Sequence, residues 1–309
     1  MKRIGERWPR MRVVHLPTYD NLTEELPDTD IFVGFSLRPQ QFAFARKLKW
    51  IHATAAAVAQ LMYPGLRTSG VEVTNASGVH SVPMAEHIAG VLLALARRFP
   101  DCVRYQEKSR WCQRELWEAP AELRPRELRG QTALFVGFGG VGHEAGKMAR
   151  AMGMRVWAVT HSGRAGEQIA ERVFRATALH EALPHADFVI LAAPETPETT
   201  KMMGAREFSL MKPSAYLINV ARGALVDEPE LVRALEQRRI AGAALDVTCE
   251  EPLPAESPLW RLENVLITPH VSAVSEQLWE RQTDLLLENL ERWFRGRELV
   301  NRIDLARGY

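Results

Sequence analysis

The stretch of sequence that decides the fold is Leu134-Phe135-Val136-Gly137-Phe138-Gly139-Gly140-Val141-Gly142. Its apolar run predicts a strand that leads directly into a glycine pattern and then into a helix. Gly137 permits a tight turn, Gly139 lets backbone N–H groups approach a pyrophosphate, and Gly142 lets the helix pack closely on the strand. The helix start at Gly140 and Val141 offers unpaired N–H donors and the positive end of the helix dipole. The stretch therefore predicts a dinucleotide-binding turn of the Rossmann type.

Short apolar runs alternate with helical segments throughout the part of the chain that starts at Thr132. Several of these runs are apolar on both faces, as strands of a parallel sheet covered by helices must be. We predict strands at Thr132–Val136, Arg155–Val159, Phe188–Ala192, Ala215–Val220, Ala241–Val247 and Val265–Thr268.

The chain before the glycine pattern shows the same alternation of short β-rich runs and helical segments. Such alternation predicts an α/β fold with parallel sheets. We therefore expect two doubly wound parallel-sheet domains, a flavodoxin-like substrate domain and an inserted Rossmann NAD(P)-binding domain. The strands predicted in the first domain are Arg12–Leu16, Asp30–Phe35, Trp50–His52 and Val71–Asn75.

Two apolar helices set the predicted domain boundaries. Residues 81–96 are apolar on nearly all sides of a helix, and residues 275–295 carry leucines and aromatic residues at helical spacing. We expect the chain to return to the first domain along the second of these helices. The substrate domain would then comprise residues 1–98 and 282–309, and the dinucleotide-binding domain residues 99–281. A cleft between two such domains is where we expect the chemistry.

Composition narrows the class of protein. The chain has 309 residues, 46% of them apolar and 25% charged, with a formal net charge of +1, which is typical of a globular protein with two domains. No long run of one charge sign points to nucleic acid or to a membrane as a partner. The charged N-terminus lacks the core of a signal peptide, so we expect a cytoplasmic location. The three cysteines lack metal-type spacing, and no metal site is expected.

Three segments after the glycine loop carry a family resemblance. They read NVARGALVD at 219–227, ALDVTCEEPL at 244–253 and TPHVS at 268–272. In order, spacing and wording, together with the glycine loop, the sequence resembles the D-isomer-specific 2-hydroxyacid dehydrogenase family. The resemblance implies an arginine, a glutamate and a histidine that act on a 2-keto or 2-hydroxy acid beside a nicotinamide.

The resemblance assigns these catalytic roles to Arg222, Glu251 and His270. The guanidinium fork of Arg222 would bind the substrate carboxylate and polarise the C2 carbonyl oxygen. His270 would protonate that oxygen during reduction, as an imidazole is suited to do near neutral pH. Glu251 would accept a hydrogen bond from the other ring nitrogen and fix the tautomer. We choose Glu251 over Glu250 because the catalytic acid of the family directly precedes the proline.

In this family, backbone donors in a turn after the third strand also hold the substrate carboxylate. The corresponding residues here are Thr54, Ala55, Ala56 and Ala57, which depart from the usual glycine-containing wording of the family. Their small side chains leave room for a carboxylate. His80 is expected in the same site, with the alternative that it is a buried polar residue with a backbone partner.

The choice between NAD and NADP depends on the end of the second Rossmann strand. An NAD enzyme places an acidic side chain there to bind the ribose hydroxyls, whereas this chain has Thr160 and no carboxylate between positions 156 and 164. The residues Thr160, His161, Ser162 and Arg164 can all donate hydrogen bonds to a 2′-phosphate. We therefore predict NADP in preference to NAD.

Four further residues are expected to line the cofactor site. By resemblance, Pro194 should border the adenosine half, and Val220 and Asp246 should lie near the nicotinamide. Asp246 would accept from the carboxamide, although it can equally serve as a structural acid at the end of a strand. Ser272 follows the histidine motif and completes the expected set.

The resemblance implies a reductase of a small 2-keto acid such as glyoxylate or hydroxypyruvate, which forms the D-2-hydroxy acid and acts as a homodimer. Glu251 argues against a formate dehydrogenase, which has glutamine there, and the chain length argues against a phosphoglycerate dehydrogenase with a regulatory domain. A second hypothesis remains, because corepressors of this superfamily keep the fold and the catalytic residues. On that hypothesis, the chain is a redox-sensing, cofactor-binding module that acts through protein partners.

Overall fold

The computed structural model describes residues 2–120, 124–164 and 169–305. In chain order the helices are α1 (Lys2–Arg7), α2 (Leu22–Glu25), α3 (Pro39–Phe42), α4 (Pro64–Arg67), α5 (Ser81–Ala96), α6 (Phe99–Glu107), α7 (Gln113–Trp117), α8 (Gly140–Ala151), α9 (Leu179–Ala182), α10 (Ala205–Leu210), α11 (Glu228–Glu236) and α12 (Leu278–Phe294). Short 3-10 helices lie at Leu26–Asp28, Ala59–Leu61, Ala176–Ala178, Leu183–His185, Gly223–Leu225 and Pro258–Arg261. The strands are β1 (Ile31–Gly34), β2 (Trp50–Ala53), β3 (Glu72–Thr74), β4 (Thr132–Val136), β5 (Arg155–Thr160), β6 (Arg172–Arg175), β7 (Phe188–Leu191), β8 (Tyr216–Asn219), β9 (Gly242–Leu245) and β10 (Val265–Ile267).

The chain forms two compact units. The first comprises Met1–Val79 and Ser275–Tyr309, and the second comprises His80–Val274. These divisions differ from the predicted boundaries at 98/99 and 281/282, since α5 belongs to the second unit and the whole of α12 to the first. The reason is packing: Ile88 and Leu92 of α5 are buried in one core cluster with Phe135 of β4.

The first unit contains a parallel sheet in the order β1-β2-β3. The strands follow sequence order, and Gly34 at the end of β1 pairs with Ala53 at the end of β2. Leu26, Leu61 and Leu66 are fully buried beside this sheet, as expected for an apolar core under short connections.

The strand predicted at Arg12–Leu16 is wrong, since this segment has no regular structure. Its side chains, rather than its backbone, attach it to the unit: Val13 and Leu16 pack against two different core clusters, while Val14 is 44% exposed. Alternating apolar residues fit a strand, but the backbone of a strand must also pair with a neighbour. Because β1 pairs directly with β2, there is no place between these two strands for the segment.

Helix α12 packs on the first unit through a mixed surface. Trp293 stacks on Trp50 of β2 with the ring centroids 5.6 Å apart, and Leu287 and Leu290 are buried in the same cluster. The predicted helix at 275–295 is therefore present with shorter ends. Its buried face, however, also contains polar residues, Gln282 and Asn289.

The second unit has a seven-stranded parallel sheet in the order β10-β9-β8-β7-β4-β5-β6. The strand order reverses between β4 and β7, which is the switch point of a Rossmann fold, and ligands bind outside the carboxyl ends of the strands at such a point. Every predicted strand of this unit is present. The sequence interpretation missed β6, an edge strand in which Val173 and Phe174 are the only apolar residues. No helix of the described ranges is both long and apolar enough to cross a membrane.

Candidate active site

The glycine turn after β4 has the backbone geometry that its sequence predicts. Gly137 has φ of +93°, and a Cβ there would lie 2.5 Å from the backbone nitrogen of Ala193. Gly139 precedes α8, whose first turn contains Gly140, Val141 and Gly142. Open space surrounds the place where a Cβ of Gly139 would lie, since among the described residues no atom beyond its chain neighbours comes within 4 Å. The turn therefore leaves the N-terminus of α8 accessible to a phosphate group.

The three sequence motifs follow three neighbouring strands of the sheet. Backbone pairing continues one residue beyond the strands: Asp246 N–H donates to Asn219 O at 2.9 Å, and Thr268 N–H donates to Leu245 O at 3.0 Å. The segments that contain Arg222, Glu251 and His270 therefore all begin at the carboxyl edge of the sheet, after β8, β9 and β10 respectively.

His270 and Glu251 are in direct contact. The Nδ1 atom of His270 lies 2.7 Å from Oε2 of Glu251, and the backbone N–H of Thr248 donates to Oε1 of Glu251 at 3.1 Å. The side chains of His270 and Glu251 are 48% and 37% exposed. This contact occupies Nδ1, so Nε2 is the ring nitrogen available to a ligand.

The backbone of His270 is held in a rarely used conformation. Its φ is +53°, in the left-handed region that residues other than glycine seldom occupy. Its N–H donates to Asp246 O at 2.8 Å and to Thr268 O at 3.0 Å. Such backbone geometry persists only where neighbouring contacts impose it, and it is common at functional sites.

Asp246 supplies most of the contacts that hold this segment. One carboxylate oxygen accepts from the Thr268 hydroxyl at 2.6 Å and from Val271 N–H at 3.0 Å, and the other accepts from Ser272 N–H at 3.0 Å. Burial acts to raise the pKa of Asp246, but the hydrogen bonds from Ser272, Thr268 and Val271 outweigh it and lower the pKa. These contacts match the structural acid considered as the alternative for Asp246. A contact with the carboxamide stays a prediction.

His87, on α5, is a neighbour of this cluster that the sequence interpretation missed. Its Nε2 lies 3.3 Å from the Thr268 hydroxyl and 4.0 Å from a carboxylate oxygen of Asp246. Since Thr268 donates its proton to Asp246, His87 is the donor to Thr268. The sequence feature that could have identified His87 is its position as an ionisable residue within a largely apolar helix.

Arg222 lies in a segment that is in close contact with the segment that contains Glu251. The Arg222 guanidinium donates to Ala221 O at 2.6 Å, and Cys249 Sγ lies 3.4 Å from Gly223 O. A Cβ on Gly223 would lie 2.0 Å from the carbonyl carbon of Thr248, so only glycine allows this approach. The close packing fixes the start of the Arg222 segment relative to Glu251.

The turn after β5 contains the residues predicted to select the cofactor. The Thr160 hydroxyl accepts from Arg164 N–H and donates to Arg164 O, both at 3.1 Å, so it closes the turn. His161, Ser162 and Arg164 are exposed. The structure adds a carboxylate that the local sequence did not show: a hydrogen bond from Thr196 lowers the pKa of Glu198, and the nearby His161 contributes.

The remaining predicted cofactor residues follow the inner strands. Pro194 is exposed after β7, and its carbonyl accepts from the Thr199 hydroxyl at 2.8 Å. Val220 and Ser272 are buried. Their contacts with a cofactor stay predictions. Within the described ranges, no group of three or more His, Cys, Asp or Glu side chains could hold a metal ion.

The predicted substrate loop, Thr54–Ala57, follows β2 in the first unit. Ala55 O accepts from Ala76 N–H at 3.1 Å, and Ala56 O accepts from the Asn75 side chain at 2.6 Å. The backbone N–H groups of Ala55, Ala56 and Ala57 donate no hydrogen bond to any described residue. The carbonyls of Ala55 and Ala56 are therefore occupied, whereas the three N–H groups have no partner among the described residues.

His80 lies at the start of the second unit. Burial lowers its pKa, and a hydrogen bond with the Ala273 backbone partly opposes this effect. Its Nδ1 is buried without a partner among the described residues. The backbone contact matches the structural alternative considered for His80, and substrate contact stays a prediction.

Comparison with known proteins gives the family. A family model described as the NAD binding domain of D-isomer specific 2-hydroxyacid dehydrogenases matches residues 89–272, more than half of the chain. The chain belongs to the D-isomer specific 2-hydroxyacid dehydrogenase family. The predicted family, the parallel α/β fold and the enzyme class, an oxidoreductase that uses NAD or NADP, are thereby confirmed.

Individual relatives agree with this membership. A glyoxylate reductase of Thermococcus litoralis is 36% identical over 264 residues, which cover 84% of this chain and 78% of that protein. A D-3-phosphoglycerate dehydrogenase of Methanocaldococcus jannaschii is 31% identical over 93% of this chain. The matched region covers only 54% of that relative, so this chain spans about half of the relative's length. An NADPH-dependent glyoxylate/hydroxypyruvate reductase of Sinorhizobium meliloti, solved with NADP and sulfate, has a TM-score of 0.82 at 25% identity, covering 100% of this chain and 95% of that one.

Proposed function

We propose that this chain catalyses the NAD(P)H-dependent reduction of a small 2-keto acid, of the glyoxylate or hydroxypyruvate type, to the D-2-hydroxy acid. The observation that carries the proposal is the contact of 2.7 Å between His270 and Glu251 at the carboxyl edge of a Rossmann sheet. The relatives named as glyoxylate reductases support the substrate class.

The residues divide the work of the reduction. Arg222 binds the substrate carboxylate and polarises the C2 carbonyl, because its planar fork can donate two parallel hydrogen bonds. A nicotinamide cofactor held at the glycine turn of Gly137, Gly139 and Gly142 would supply the hydride for C2 of the substrate. His270 gives its Nε2 proton to the carbonyl oxygen and is then reprotonated from solvent. Glu251 accepts from Nδ1–H, so it fixes the tautomer and keeps the ring oriented.

We assign NADP as the preferred cofactor. Thr160 stands where NAD enzymes have an acid, and the exposed Ser162 and Arg164 beside it can donate to a 2′-phosphate. The Sinorhizobium relative, named for its use of NADPH, supports this assignment. A comparison of kcat/KM for NADPH and NADH decides between them, and a preference for NADH would overturn the assignment.

Steady-state turnover with a panel of 2-keto acids tests the proposal. We expect oxidation of NADPH with glyoxylate or hydroxypyruvate, and a loss of roughly 100- to 10,000-fold in kcat for His270→Ala, the usual contribution of a general acid. His15→Ala is the matched control, because His15 is exposed and far in sequence from the motifs, and it should retain full activity. Tight cofactor binding without turnover on any 2-keto acid would contradict the proposal and favour the redox-sensing module.

A further inference from the structure

The substrate loop of the first unit presents donors through backbone alone. Its residues after Thr54 are alanines, so no side chain there can bind an anion. In a trans peptide unit, the C=O of one residue and the N–H of the next are coplanar and point in opposite directions. A contact that fixes a carbonyl of the loop therefore also fixes the direction of the following N–H.

Three successive peptide units of the loop are fixed in this way. The carbonyls of Ala55 and Ala56 are held by Ala76 and Asn75, which directs the N–H groups of Ala56 and Ala57. The first carbonyl, Thr54 O, accepts from the Gln282 side chain of α12 at 2.7 Å. Gln282 therefore fixes the peptide unit that ends in the N–H of Ala55.

The burial of Gln282 indicates that its main structural role is the hydrogen bond to the Thr54 carbonyl. Gln282 is only 8% exposed, on a helix face whose other buried residues are Leu287, Asn289 and Leu290. Its Oε1 is buried without a partner among the described residues, which costs free energy. An apolar side chain would fill the place without that cost, whereas only a donor can hold the Thr54 carbonyl.

We infer that Gln282 is a positioning residue: it directs an anion cradle formed by the N–H groups of Ala55, Ala56 and Ala57, the donors that the family resemblance assigns to the substrate carboxylate. This inference rests on the proposed function for the identity of the anion. Gln282 does not touch the substrate. It acts through Thr54, whose carbonyl direction determines whether the Ala55 N–H faces the carboxylate.

Two substitutions at Gln282 separate positioning from simple structural support. Gln282→Met keeps the length of the side chain and removes the donor. Gln282→Glu places a carboxylate against the Thr54 carbonyl when it is ionised, but a donating O–H when it is protonated. Leu287→Ala is the control, because it removes packing from the same buried helix face, in a core cluster that contains none of the described residues of the loop.

We expect Gln282→Met to raise KM for glyoxylate about 10-fold, a change typical of one lost hydrogen bond, with a smaller change in kcat and an unchanged Kd for NADPH. Gln282→Glu should show a raised KM at pH 8 that returns toward the wild-type value as the pH falls to about 5.5, after normalisation to wild type at each pH. Leu287→Ala should leave KM unchanged. An unchanged KM in both Gln282 variants, or an equal rise in Leu287→Ala, would overturn the inference.

Calorimetric binding of oxalate, a non-reducible analogue of glyoxylate, to the NADP-bound enzyme keeps the two proposals apart. We expect oxalate to bind wild type about 10-fold more tightly than Gln282→Met. If the wild type reduces 2-keto acids and Gln282→Met binds oxalate equally well, the inference fails while the proposed function stands. If oxalate binding depends on Gln282 but no 2-keto acid is reduced, the proposed function fails alone. If wild type neither binds oxalate nor reduces a 2-keto acid, both fail.

Discussion

The segments after β8, β9 and β10 and the loop after β2 present the groups that we propose to bind ligands in opposite ways. In the first region Arg222, Glu251 and His270 offer charged or ionisable side chains, and much of the surrounding hydrogen bonding serves to orient them. In the loop the side chains are small, and the backbone itself is held by Gln282 and Asn75. We therefore expect ligand binding by the segments after β8, β9 and β10 to depend on the identity of their side chains. We expect ligand binding by the loop after β2 to depend on the contacts that orient its peptide units.

The largest effect should come from a conservative change in the side-chain region. Arg222→Lys keeps the positive charge but loses the planar fork that binds a carboxylate through two hydrogen bonds. We expect kcat/KM for the 2-keto acid to fall by at least about 100-fold, which corresponds to a loss of about 3 kcal/mol of transition-state binding. The fall is measured in steady-state assays with saturating NADPH. A variant within a few-fold of wild type would show that the fork is not used.

An effect of similar size, on stability rather than on catalysis, should come from His52, the buried histidine that precedes the backbone loop. His52 is almost fully buried, and burial lowers its pKa to about 4 from the ordinary value of 6.5. The unfolded chain therefore binds a proton that the folded unit refuses between these pH values, so stability is full above pH 6.5 and falls as the pH drops toward 4. The loss should approach about 3 kcal/mol.

Hydrogen exchange of the β2 amides, corrected for the intrinsic rate at each pH, measures this loss locally. His52→Gln, which does not titrate, should show a much flatter dependence over the same range. Equal protection of β2 at pH 6.5 and pH 4 in the wild type would contradict the expectation. The result sharpens the comparison, since it distinguishes a histidine kept neutral by the core from His270, which is half-exposed beside a carboxylate.

The smallest effect should come from a side-chain change in the backbone loop. Ala56 is exposed, and the group that we propose it contributes is a backbone N–H, which serine also has. We expect Ala56→Ser to change KM and kcat for the 2-keto acid by less than about 2-fold, as is usual for surface substitutions. Steady-state kinetics beside Arg222→Lys give the contrast directly. A large loss in Ala56→Ser would show that the loop reads side chains and would remove the distinction between the two regions.

The sequence predicted those parts of the fold that depend on local pattern. The boundaries of β4 at Thr132–Val136 were predicted as observed, because a continuous apolar run ends at a glycine that the turn requires. The strand at Arg12–Leu16 failed because pairing depends on a distant partner that the local pattern does not contain. The edge strand β6 was missed for the converse reason, as it pairs with β5 although half of its residues are arginine.

The candidate site divides in the same way. The contact between His270 and Glu251 was expected from the family resemblance that the two motifs carry, and the structure contains it. The left-handed backbone conformation of His270 and the hydrogen bonds to both carboxylate oxygens of Asp246 were not predicted, because they arise from packing between segments. The hydrogen bond from Gln282 to Thr54 joins residues 228 positions apart, and its one signal was a polar residue within an apolar helix face.

The most direct test of the central claim follows the hydride itself. The enzyme is incubated with glyoxylate or hydroxypyruvate and with NADPH deuterated at C4 of the nicotinamide, and the product is analysed by mass spectrometry and chiral chromatography. The account predicts that deuterium transferred to the substrate lies at C2 of the 2-hydroxy acid, which with hydroxypyruvate has the D configuration. A product that acquires its C2 hydrogen from solvent, or that has the L configuration, would contradict the account.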